Sequence, residues 1–135
     1  MAKHWKVYRG GPTPRHQDYL SVSIDRRGTI SFNTFTHKSL GSPEAVTLMF
    51  EEEDSVIGIT AGNPRDPEAF AVKRSTGRST CVVRAAPFCR DMGIKLARTE
   101  GFDRPEIDED GILCLDLKVT HDLTRRKRSS IGGRK

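Results

Sequence analysis

The side chains with which this chain could do chemistry are its histidines, cysteines, carboxylates and arginines, and their spacing narrows the options. Four histidines, His4, His16, His37 and His121, have no metal-ligand spacing to one another or to a cysteine, so no zinc is expected. Cys81, Cys89 and Cys114 are an odd number without a Cys-x-x-Cys pair, and they read as buried reduced thiols rather than a disulfide framework. Cys89 stands beside Arg90, a neighbour able to lower a thiol pKa, but a small apolar filler on a helix face is the plainer reading. Gly10-Gly11 and Gly132-Gly133 lack the flanking strand and helix and the Lys-Ser/Thr of a phosphate loop, so they read as linkers. Asp108-Glu109-Asp110 lacks the alternating spacing of a calcium loop and reads as a solvated turn. No motif supports an enzyme or a cofactor.

Basic side chains offer a different chemistry, recognition of phosphate. The 135 residues carry a formal charge of +5, unevenly spread. Residues 1 to 20 hold four basic residues against one acid, residues 118 to 135 hold seven against one, and the stretch between is left at −4. Its acids cluster in Glu51-Glu52-Glu53-Asp54 and Asp108-Glu109-Asp110, each between apolar runs where a hairpin would turn. The end of the chain, with Arg125, Arg126, Lys127 and Arg128, is nearly devoid of apolar residues and reads as a disordered basic extension. Such a tail either adds salt-sensitive, sequence-blind affinity for phosphates or serves only as a solvated terminus. Trp5 and Tyr8, among Lys3, Lys6 and Arg9, either stack on a base or pin the N-terminal arm to the domain. No stretch approaches the ~18 apolar residues of a spanning helix, and the first residues lack a signal-peptide core. A cytoplasmic chain without a membrane partner is expected.

These groups need elements to hold them. Val22 and Ile24, then Ile30 and Phe32, alternate with polar residues on either side of Asp25-Arg26-Arg27-Gly28, which predicts a β-hairpin turning at Gly28. Asn33 can cap a two-turn helix over 34 to 40, closed by Gly41. Residues 45 to 50 and 55 to 60 predict two further strands joined by the acidic turn, and 61 to 68 is a linker. The second half can be laid on the first. Phe70 and Val72 match the first strand, 81 to 83 the second, 87 to 92 the helix, 94 to 98 the third strand, and 112 to 117 the fourth after an acidic loop over 99 to 111.

The expected organisation is thus a basic arm (1 to 18), a ββαββ repeat (19 to 60), the linker, a second ββαββ repeat (69 to 117) and the basic tail (118 to 135). One such unit leaves open strand edges and too small a core, so two must pair, and interleaving their hairpins closes a small barrel. The fold class expected is mainly β with short helices. Val22, Ile24, Ile30, Phe32, Leu48, Phe50, Ile57 and Ile59 form the inward face of the first half.

The first half resembles the AbrB/SpoVT family of swapped-hairpin DNA-binding domains. The resemblance rests on Asp25-Arg26-Arg27-Gly28-Thr29-Ile30-Ser31-Phe32, on His37-Lys38-Ser39-Leu40-Gly41 at the helix end, and on the second hairpin between Val46 and Ile59. The family's Gly-Arg after the turn is Gly28-Thr29 here and returns as Gly77-Arg78 in the second half; its Ile-Pro before the helix is Phe32-Asn33. The resemblance implies a tandem swapped-hairpin barrel and a prokaryotic-type regulator of transcription bound to double-stranded DNA. It puts Arg26, Arg27, His37 and Lys38 in the family's DNA-contacting places, with Arg78 and Arg90 as second-half equivalents. Arginine forks suit phosphate or the guanine edge, and lysine suits phosphate as a point charge. The duplication allows a monomer, and the family's habit of pairing chains allows a homodimer. The alternative is a non-enzymatic barrel of the same shape that binds a protein partner; clustering of the basic residues on one face would favour DNA.

Overall fold

Period-two burial decides most of the architecture. The computed structural model describes residues 4–5, 19–74 and 80–123. Strands β1 (Val22–Ile24) and β2 (Thr29–Asn33) bury Val22, Ile24, Ile30 and Phe32 on one face and turn their serines to the other. Helix α1 (Thr34–Ser39) follows directly, its first turn capped by Asn33, whose side chain accepts the Thr36 N–H at 2.9 Å. Strands β3 (Ala45–Glu51) and β4 (Val56–Ala61) form the second hairpin, with Val46, Ile57 and Ile59 fully buried and Leu48 and Phe50 packed partly buried against them. Strands β5 (Phe70–Arg74) and β6 (Thr80–Arg84) lead into α2 (Ala86–Met92), which ends at Gly93 in the left-handed conformation (φ 72°). Then come β7 (Glu100–Phe102), β8 (Glu106–Ile107), β9 (Leu113–Asp116) and β10 (Thr120–Asp122).

All ten strands form one curled antiparallel sheet, a half-barrel, in the order β10-β7-β1-β2-β6-β5-β3-β4-β9-β8. The order is symmetric about the β2–β6 pair once the hairpin β8–β9 is set aside. Hairpin β1–β2 faces β5–β6, β7 pairs with β1 as β3 pairs with β5, and β10 flanks β7 as β4 flanks β3. Strands from early and late in the chain are therefore interleaved, and one core runs beneath them all.

Three expectations are corrected. Residues 94 to 98 form no strand; Ile94 and Leu96 pack on the core while their neighbours face solvent. Their alternation reports one-sided burial of an extended segment, and the pairing with β1 goes to β7 instead. Residues 99 to 111 are not simply a loop, since they hold β7 and β8. The strand at 112 to 117 is β9, part of an inserted hairpin, and the position equivalent to β4 belongs to β10. That strand lies within the stretch assigned to the basic tail. Polar cross-strand links hold it, Thr120 Oγ1 donating to Glu100 at 2.9 Å and His121 bonding Asp103, so apolar periodicity gave no sign of it. The rest of the tail, from 124, and the N-terminal arm apart from residues 4–5 lie outside the described residues.

Candidate nucleic-acid interface

The β1–β2 turn is built by Asp25. Its carboxylate accepts the backbone N–H of Arg27 and of Thr29, each at 2.9 Å, and its carbonyl accepts from Gly28 at 3.0 Å. Gly28 has φ 87°, where a side chain is strained, and a Cβ there would lie 2.8 Å from the Ala86 Cα. The glycine thus lets the turn of one half seat against the start of the helix of the other, where Ala85 N–H donates to the Gly28 carbonyl at 2.9 Å. Arg26 and Arg27 are exposed above this seat.

Docking of the turn on α2 brings basic groups from distant parts of the chain together. A shallow cleft of about 230 Å³ is lined by Arg26 and Arg27 of the turn, Arg90 of α2 and Lys95 of the following segment. Among the described residues Asp25, already engaged with two backbone N–H groups, is the one carboxylate in its lining. On the adjoining strands Glu100 and Asp122 are drawn to Arg98, at 3.2 and 3.6 Å. A cleft with four cations suits an anion carrying several phosphate oxygens. Lys95 was missed in the sequence because a strand was expected over it; the left-handed Gly93 is what turns the chain back along the cleft.

The remaining expected contacts fall elsewhere. Lys38 is exposed on α1, at the far end of the β2–β6 ladder from the turn, roughly 16 Å away for five paired residues. His37 turns inward and leaves the set of surface contacts. It is 8% exposed, its Nε2 meets the Pro43 carbonyl at 2.8 Å, and its ring stacks on Phe32 with centroids 6.1 Å apart. Its Nδ1 is buried without a partner among the described residues, a cost of about 1–3 kcal/mol. Arg78, Arg125, Arg126, Lys127 and Arg128 lie outside the described residues. Cys89 lines the cleft, yet burial and then the Asp25 charge push its thiol pKa up, so Arg90 does not activate it. At the Asp108 turn the carboxylate accepts the N–H groups of Asp110 and Ile112, at 2.9 and 3.0 Å, which makes this turn a relative of the one at Asp25. Trp5 is 81% exposed, so it is not buried in the domain.

No protein-family model, curated protein or solved structure matches this chain.

Proposed function

We propose that this chain is a DNA-binding regulator of AbrB-like architecture that holds the backbone of duplex DNA in the cleft between the first hairpin turn and α2. The observation that carries the reading is the convergence of Arg26, Arg27, Arg90 and Lys95 on one cleft, although the body of the chain is acidic. Two further features support it. The interleaved strand order, the added β8–β9 hairpin aside, agrees with a pairing of two swapped-hairpin ββαββ units, and the β1–β2 turn seats on the start of α2. The basic ends add sequence-blind attraction to the same polyanion.

The test is duplex binding across a salt series, comparing the full chain with the variant R26A/R27A/R90A and with a variant whose Arg125, Arg126, Lys127 and Arg128 are replaced by Ser. The first variant is expected to lose at least about tenfold in affinity and to flatten the salt slope by nearly 1 for each phosphate contact removed. A triple variant that binds like the parent overturns the cleft as the DNA site. Full loss on neutralising the tail alone assigns binding to the tail and favours the reading as a barrel that engages a protein partner.

A further inference from the structure

Helix α2 keeps one side in solvent and is flanked by unlike charges. Successive helical residues are about 100° apart, so Phe88 and Arg90 point roughly 160° from each other. On the Phe88 side the helix packs against the β3–β4 hairpin, where the rings of Phe88 and Phe50 meet edge to face with centroids 6.4 Å apart. Phe50 is followed at once by Glu51, Glu52, Glu53 and Asp54, all exposed. On the other side Ala86, Cys89 and Arg90 line the basic cleft together with Arg26, Arg27 and Lys95. The solvent face between them carries Pro87 and Asp91. Two lobes of opposite charge therefore stand at one end of the molecule, divided by α2. None of the four cations of the cleft and none of the four acids of the turn forms a salt bridge among the described residues. Glu51 accepts the Asp54 N–H at 3.2 Å, and Lys118, which reaches the Asp54 carbonyl, has its charge matched by Asp116 at 3.1 Å.

We infer that this end of the molecule is an interface with a second copy of the chain: two copies meet about a two-fold axis at α2, and each lays its β3–β4 turn against the basic cleft of the other. A patch that is positive on one flank and negative on the other is complementary to itself after a half-turn, which is the requirement of an isologous interface. A second copy answers both lobes at once, whereas a partner of one charge answers only one. Each copy keeps its own strands, so the pairing exchanges no hairpin and leaves the core as it is. The contact is mainly charged, and Met92, 45% exposed, is the one large apolar side chain that α2 offers to it. Such a contact is weak and strongly dependent on salt. Pairing also covers the cleft assigned above to duplex DNA. For that consequence alone it rests on the duplex reading, under which a second copy and a duplex exclude each other.

The experiment is sedimentation equilibrium of the full chain without nucleic acid, up to about 0.5 mM protein, in about 50 mM and about 500 mM salt. The variants are E52Q/E53Q/D54N and R26A/R27A/R90A, each first checked for an unchanged thermal melt in the higher salt. The parent is expected to form a dimer and nothing larger, with a dissociation constant that rises at least about tenfold between the two salts. Each variant alone lacks both reciprocal contacts and is expected to pair at least about tenfold more weakly than the parent. An equal mixture of the two is expected to pair more tightly than either alone, because the intact cleft of one then meets the intact turn of the other. The inference is overturned if the parent stays monomeric in low salt, if it grows beyond a dimer, if either variant pairs as the parent does, or if the mixture gains nothing. Failure of the duplex reading alone would leave all of these results in place.

Discussion

Single residues decide how closely the elements of this fold approach one another. Gly28 is fixed twice, by its positive φ and by the approach of the Ala86 backbone, which cannot move aside as a side chain would. Gly28→Ala is expected to lower stability by about 1–3 kcal/mol through strain alone, with the clash added, as read in a urea titration. Gly101 presents the opposite case, because the atoms that a Cβ would meet belong to the His121 and Leu123 side chains. The thiols of Cys81, Cys89 and Cys114 are all held above their ordinary pKa, first by burial. Alkylation of the native protein at pH 8 is therefore expected to be slower than that of the unfolded chain, measured by mass spectrometry with and without denaturant. The sign for stability follows. The native state holds these protons more tightly, so stability is whole below the ordinary thiol pKa and declines as the pH rises through and above it. At this scale the exposure of Arg26, Arg27 and Arg90 was legible in the sequence, since turn and helix positions of this kind face solvent. It misled at His37, whose type says surface but whose place on α1, one residue after the buried Thr36, says core.

At the scale of elements, Asn33 joins three parts of the structure: it ends β2, caps α1 and ties the Tyr19 carbonyl. Asn33→Ala is expected to cost about 0.5–2 kcal/mol, seen as a lower melting temperature. The first six elements were legible because apolar alternation, a cap and glycine turns agreed within each of them. Strands β7, β8 and β10 were not, and for one physical reason. They are two or three residues long, β7 holds Gly101, and β10 is fastened by polar bonds rather than by apolar burial, so none presents a periodic signal. Conversely, Ile94 and Leu96 carry the signal without the strand, because packing on a core requires alternation but not a ladder.

For the whole molecule, the placement of β10 changes where the chain can be shortened. A chain ended after Leu117 lacks the strand that covers β7 and is expected to melt lower and to self-associate through the bared edge. A chain ended after Leu123 retains every described element and is expected to melt with the parent; thermal melts and light scattering compare them. The basic cleft sits where β2 begins, and a groove lined by Tyr19, Phe35 and His121 lies toward the end of β2. Among the described residues no helix is long and apolar enough to cross a membrane.

The interleaved strand order has a consequence for how the molecule assembles itself. Because β3 is completed by β5 and β1 by β7, neither half possesses a finished sheet of its own, and between β4 and β5 residues 63 to 69 form no strand. That connection acts as a tether, keeping each half at an effective concentration of about the millimolar level near its complement. Cutting it with a protease would turn a unimolecular folding reaction into a bimolecular one. In salt high enough to keep copies apart, the nicked protein should stay whole at high concentration and acquire a melting temperature that falls on dilution, whereas that of the intact chain is independent of concentration.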